Sequence, residues 1–367
     1  MPTESVHRPR RPRTGKVVTA AASALALCLV VVGTTVAVRQ VRGDPPPNAS
    51  GIHLGTHTKA GSVAYVDGNG VLEEDGMHTK LTVPGGYRIV DTTETPSGYA
   101  FDAYSDMGNS GVFFEFRNGT VHRFPLADID GRFVVSNDGK LMIVSGLNKS
   151  DGMYEAIWYG LPALTVVSTY RTDIHVAKYG MIPVAAAGGW TVIDMYTGAL
   201  TPGWATEFGA AGDQRATFDS TQPFDVATDG SVLRRIDTLE RSNGTYEPTK
   251  TCYDLVPYRA GGHTSDLSGH CGKPPSGDPV DSGALSPDGT MAALALGAGS
   301  AAVLVNTADL HAGRWHPVVL PMRAQIEYWD SPTTVIVHGA HFYRCHTSGA
   351  CDVLPGDDDL TLVRVIT

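Results

Sequence analysis

Ser286-Pro287-Asp288-Gly289-Thr290-Met291-Ala292-Ala293-Leu294-Ala295-Leu296 sets a tight turn directly before an apolar strand. The Asp-Gly pair supplies the turn, because glycine takes a positive φ at little steric cost. The run from Ala292 to Leu296 does not alternate apolar with polar residues, so the strand predicted there is buried on both faces. Ile182-Pro183-Val184-Ala185-Ala186-Ala187 has the same small, continuous apolar character. Strands of this kind belong to sheets that pack between two neighbours.

The pattern of turn, apolar strand, second turn and further strand recurs. Its copies begin near Gly61, Gly98, Gly139, Gly180, Gly230, Gly289 and Thr333, at intervals of 37, 41, 41, 50, 59 and 44 residues. A period of about 45 is that of a four-stranded propeller blade. Residues 51–367 are therefore predicted to form an all-β domain, a β-propeller of seven blades. The 50- and 59-residue intervals leave room for an eighth. A two-sheet sandwich array is the structural alternative, and it predicts no steady period. The 42 glycines and 23 prolines, with short β-branched and aromatic runs between turn dipeptides, fit a β-rich body.

Ser286-Pro287-Asp288-Gly289 followed by its apolar strand resembles the repeat of WD-repeat and Tol-system-type periplasmic propellers. Ser136-Asn137-Asp138-Gly139-Lys140 and Ala227-Thr228-Asp229-Gly230-Ser231 are weaker copies, and Trp190 to Gly198 is similar to the later part of the same repeat. The chain also departs from the family pattern. Trp329-Asp330 precedes a turn, and neither Gly262-His263 nor Gly269-His270 stands at a family position relative to a Trp-Asp pair. The resemblance implies a propeller fold. Its motif is a structural turn shared by functionally unrelated proteins, so it implies no activity.

The N-terminal segment has a different character. Residues 17–38 contain no charged side chain and are long enough, as a helix, to cross the roughly 30 Å of a bilayer core. Arg8, Arg10, Arg11, Arg13 and Lys16 precede the run, and only Arg39 and Arg42 follow it closely. The positive-inside bias predicts a single-pass membrane anchor with its N-terminus in the cytoplasm and the bulk outside. The predicted organisation is a basic arm (1–16), a transmembrane helix (17–38), a Pro-rich spacer (39–50) and an extracytoplasmic domain (51–367). A cleaved signal peptide is the rival reading, but the apolar run exceeds a usual h-region. Residues 1–50 hold seven basic and two acidic side chains; subtracting these from totals of 28 and 38 leaves 21 and 36, a net −15 for residues 51–367. A domain so acidic repels phosphate backbones, and nucleic acid is not an expected partner.

Cys252, Cys271, Cys345 and Cys351 fall in the outer domain. In an oxidising compartment four cysteines read as two disulfides with three possible connectivities. The sequence-local one is favoured, Cys252–Cys271 and Cys345–Cys351. The competing reading is a metal site from His341, Cys345, His346 and Cys351 with His338 nearby, but the spacing matches no familiar zinc site. Asp67-Gly68-Asn69-Gly70 lacks the further carboxylates of a calcium loop and reads as a hairpin turn. No catalytic, cofactor-binding or metal residue is assigned, and no cofactor is expected. The predicted function is a binding module for an envelope protein, peptide or glycan. A propeller enzyme with a loop-assembled site and a sensor ectodomain are the alternatives.

Overall fold

The computed structural model describes residues 63–74, 77–83, 85–125, 131–173, 180–196, 204–208, 214–219, 221–242, 245–256, 280–297, 301–354 and 361–364. All belong to the compact unit Pro47–Thr367. The basic arm, the apolar run and the Pro-rich spacer lie outside them, as do Gly61 and Cys271. Among the described residues no helix is long and apolar enough to cross a membrane. Nearly everything described is strand, apart from a five-residue helix at Thr307–His311.

In chain order the strands are β1 (Tyr65–Val66), β2 (Val71–Glu74) and β3 (Met77–Lys80); β4 (Tyr87–Thr95), β5 (Gly98–Ser105), β6 (Ser110–Phe116) and β7 (Val121–Arg123); and β8 (Arg132–Val135), β9 (Leu141–Asn148), β10 (Met153–Gly160) and β11 (Thr165–Thr172). There follow β12 (Gly180–Ala187), β13 (Trp190–Tyr196), β14 (Trp204–Phe208) and β15 (Gln214–Asp219), then β16 (Thr221–Val226), β17 (Val232–Ser242) and β18 (Thr245–Val256). The last are β19 (Val280–Leu285), β20 (Met291–Leu296), β21 (Ala301–Asn306) and β22 (Val318–Val319); β23 (Gln325–Ser331), β24 (Thr334–His338), β25 (Phe342–His346) and β26 (Cys351–Val353); and β27 (Thr361–Arg364). Each group from β8 to β26 is its own antiparallel up-and-down sheet, while β1 to β7 and β27 share one sheet in the order β3-β2-β1-β27-β4-β5-β6-β7. In that shared sheet β27 pairs antiparallel with β1 and parallel with β4, the latter through only Val363↔Thr92 and Arg364↔Thr93. The C-terminal strand thus joins the first and second groups, and the architecture is that of a propeller-like ring of sheets.

The core consists of layers between successive sheets. Val134, Ile143 and Trp158 of β8–β10 pack on Met181, Ala186 and Ile193 of the next sheet. Met142 and Val144, one residue either side of Ile143, face the other way onto Phe114 and Phe124. β20 behaves likewise, with Ala293 in one layer and Ala292 and Leu294 in another. Double-sided burial is the physical reason for the missing alternation, since strand side chains point to opposite faces in turn. Single polar stitches accompany the layers: Ser145 Oγ donates to Met181 O (2.6 Å), Trp158 Nε1 to Thr191 Oγ1 (3.1 Å) and Trp329 Nε1 to Ala284 O (3.0 Å).

Most of the turn signals fall where the first strand of a sheet meets its second. Gly98, Gly139, Gly230, Gly289 and Thr333 all sit there. Gly180 does not: it opens β12, and the equivalent turn is Gly188-Gly189, both at positive φ. In sequence Tyr179-Gly180 imitates the turn dipeptide, which is why the two positions look alike there. The Ser-x-Asp-Gly corner has a defined chemistry. Ser286 Oγ donates to Asp288 Oδ1 (2.6 Å) and accepts from Met291 N (2.9 Å), while Gly289 N donates to Ser286 O (2.8 Å). Ser136, Asp138, Gly139 and Leu141 repeat it at 2.7, 3.0 and 2.8 Å.

Candidate binding site in the central channel

β4, β8, β12, β16, β19, β23 and β27, joined by Asp102 of β5, His338 of β24 and Phe342 of β25, supply most of the lining of two adjoining cavities, of about 510 and 130 Å³, that share Val135, Val184, Glu327, Tyr328 and Arg364. A local device aims side chains at this space. In β4, β12, β16, β19 and β23 the pairing with the next strand slips past one residue, between Ile89/Asp91, Pro183/Ala185, Pro223/Asp225, Val280/Ser282 and Ile326/Tyr328. A bulge kinks its strand and re-aims the extra residue. Four of the residues passed over, Val90, Val184, Phe224 and Glu327, line the cavities. Pro183 and Pro223 immediately precede two of these bulges, at the strand edge where a missing N–H is tolerated.

Charge is concentrated on the wall of the larger cavity. Asp91, Asp102, Glu327, Arg132 and Arg364 all line it. Asp91 and Asp102 are direct cross-strand partners on β4 and β5, a placement that sets two carboxylates side by side. Asp102 is only 3% exposed, its Oδ1 has no hydrogen-bond partner, and its Oδ2 lies 3.6 Å from Arg132 Nη1. Burial raises the Asp102 carboxyl well above the usual carboxylate range; the charge of Asp91 adds to this and Arg132 opposes it. Asp91 is open to the channel lumen, where the surrounding protein still strips water from its carboxyl. Its pKa is raised by that desolvation, against the pull of Arg364.

Arg364 spans the space, its Nη2 reaching Asn137 Oδ1 at 3.5 Å. Asp225 faces the smaller cavity with a structural role, because its two oxygens accept from Val226 N (2.8 Å) and Leu285 N (2.6 Å) and so tie β16 to β19. Burial raises its pKa against those two bonds and Arg364. His338 lines the larger cavity, stacks on Phe342 at 4.1 Å and places Nδ1 3.5 Å from Glu327 Oε1. Val90 (44% exposed) and Ile182 (38%) give the same cavity an apolar margin. Beside it a third cavity of about 330 Å³ is lined by Val90, Tyr104 and Asp106; Tyr104 lies near the end of β5, and the 86%-exposed Met107 stands on the turn that follows it.

The residues singled out from sequence are dispersed. Cys345 and Cys351 are joined by a disulfide between opposed positions of β25 and β26. That bond occupies both thiols, so the metal reading loses its sulfur ligands. His346 Nδ1 contacts Ser348 Oγ at 3.0 Å on the exposed turn. Of Cys252, only its backbone place in β18 is described, and its pairing with Cys271 lies outside the described residues. Asp67 closes the β1–β2 turn, accepting from the N–H groups of Asn69 and Val71, both at 2.8 Å. The Asp91–Asp102–Arg132–Glu327–Arg364 set was not found in the sequence. Its one local signal is a carboxylate inside an apolar strand, in Ile89-Val90-Asp91 and Phe101-Asp102-Ala103.

Fold and site together define a β-propeller-like domain with a charged central cavity. No protein-family model and no curated protein matches the chain. Among solved structures it is similar to TolB from Acinetobacter baumannii, at 13% identity and a TM-score of 0.36, over 82% of this chain and 65% of that one. The Cps50 (Swd1) β-propeller domain of Myceliophteria thermophila gives 9% identity and a TM-score of 0.45, over 78% and 92%. KlAtg21, solved with the coiled coil of AgAtg16, gives 13% and 0.46, over 86% and 98%. This chain spans just under two thirds of the TolB chain.

Proposed function

We propose that the chain is a seven-bladed propeller, held outside the cytoplasm by a single helix at 17–38, that binds a protein or peptide of the cell envelope at its channel mouth. The observation that carries this reading is the cavity of about 510 Å³ with a charged wall and an apolar margin. Buried apolar surface at a rim supplies affinity, and a few placed polar groups set orientation. The blade count is supported by dividing the eight-stranded sheet at its short parallel contact between β27 and β4. One blade then combines β27 with β1, β2 and β3, and the three-stranded sheet is the fifth. The anchor rests on the uncharged run and the five basic residues before it.

The test is a photo-crosslinking amino acid placed in cells at Met107 or Tyr104, with Val167 on the outermost strand of its sheet as control. The expected result is a discrete adduct from the rim positions alone, lost when Asp91→Lys reverses the charge in the lumen. Adducts from Val167 only, or a uniform smear from all three, would move the partner surface elsewhere. Protease added to spheroplasts tests the topology: it should digest the domain while the N-terminal segment stays with the membrane.

A further inference from the structure

Among the described residues, the lining of the larger cavity is short of positive charge. Asp91, Asp102 and Glu327 face Arg132 and Arg364 across it, three carboxylates against two guanidiniums. Arg364 is also drawn toward Asp225 beside the smaller cavity. In a confined, poorly solvated space an uncompensated negative charge is costly. The deficit can be met by a proton on the Asp91–Asp102 pair or by a cation brought from outside.

Asp102 marks where such a cation would sit. It is buried to 97% by its 3% exposure, lines the cavity, and leaves Oδ1 without a hydrogen-bond donor. An unmet acceptor of this kind is rare in a folded interior. A guanidinium already lies at the other oxygen, with Arg132 Nη1 at 3.6 Å, so the remaining demand is for a compact donor. The approach to it is apolar, past Val90 and Ile182. An aliphatic stem ending in an ammonium matches that sequence of surfaces, since lysine buries its methylenes and presents three donors at its tip.

We propose that the channel mouth receives a lysine side chain from an extended partner peptide, its ammonium binding at the Asp91–Asp102 pair in exchange for a proton. The ammonium donates to Asp91, which is open to the lumen, and offsets the charge of the buried Asp102 carboxyl behind it, and the proton that the pair had held passes to solvent, so the charge of the cavity is unchanged. The groups facing the pair from neighbouring strands are Arg132 on β8, Glu327 on β23 and Arg364 on β27. His338 on β24 stands behind Glu327. Acid therefore opposes lysine by protonating the pair.

This inference rests on the reading of the channel mouth as a partner site, and the experiment separates the two. The full chain in mild detergent is titrated with Nα-acetyl-lysine N-methylamide and with its Nε-acetylated form, by calorimetry in two buffers of different protonation enthalpy. The expected result is binding of the free amine alone, with release of up to about one proton and affinity falling toward tenfold per pH unit on the acid side. Asp102→Asn should weaken binding at least about tenfold. Asp91→Asn, at a lumen-facing position that a fold defect would not involve, should do the same and abolish proton release. Equal binding of both probes, no binding at millimolar probe, or full affinity in Asp91→Asn would overturn the proposal. Rim crosslinks at Met107 persisting in that case would leave the partner site standing without lysine recognition. Lysine binding without rim crosslinks would sink the partner reading instead.

Discussion

Asp288 and Asp102 are the same residue in opposite situations. Asp288 sits on an exposed corner and is fully served: Ser286 Oγ, Thr290 N and Thr290 Oγ1 donate to its Oδ1 at 2.6, 3.1 and 2.9 Å. Partial burial pushes its carboxyl up, but those donors outweigh it and the net direction is down. Asp102 is buried, under-donated, set opposite Asp91, and raised. The first aspartate shapes the backbone; the second is held at a cost that folding alone does not explain. Protein segments that serve only the fold satisfy their polar groups locally, whereas a recognition site leaves something for a ligand to supply.

The contrast can be broken by substitution, and the largest effect is expected at Asp225. This aspartate is buried like Asp102 but bonded like Asp288, so Asp225→Ala would strand the N–H groups of Val226 and Leu285. A loss of about 3 kcal/mol is expected from the shift in urea midpoint. Asp194 isolates burial on its own, which pushes its carboxyl up to about 6. The unfolded chain ionises first as pH rises, so stability should decline from the ordinary value of 3.8 to about 6. Asp194→Asn should remove that decline and gain about 2 kcal/mol at pH 7 while changing little at pH 4.

Smaller effects discriminate more finely. Asp288→Ala should cost about 1 kcal/mol at neutral pH through loss of the corner. Because its folded pKa is lowered, that contribution is present above 3.8 and lost as pH falls below it. Asp102→Asn should change the neutral-pH midpoint by no more than about 0.5 kcal/mol in the destabilising direction. A loss comparable to that of Asp225→Ala would make Asp102 a structural residue and erase the contrast.

The fold was legible where chemistry is local. An Asp-Gly corner is a short-range device, and unalternated runs such as Ala292 to Leu296 report burial on both faces directly. Gly180 shows the limit: a glycine beside an apolar run looks alike whether it makes the turn or opens the strand. The channel set was illegible for a different reason. Asp91 and Arg364 stand 273 positions apart, and they share one cavity only because β27 returns to β4. Bulges hid the lining as well, since the slip at Val90 or Glu327 depends on the pairing partner and not on the strand's own pattern. Two of the bulges did leave a trace, Ile182-Pro183-Val184 and Gln222-Pro223-Phe224, in which proline precedes the residue passed over.

The position of β27 also orders events in time. During synthesis β1, β2 and β3 emerge near the start of the domain, and β4 soon after, yet the strand that lies between β1 and β4 is made after all the other described strands. Until then Thr92 and Thr93 have no parallel partner and the wall of the large cavity lacks Arg364. A nascent chain can therefore stack most of its sheets while having no finished channel to offer. Joining the first two groups of strands and assembling the charged wall are one step, so an interrupted translation product would lack both at once.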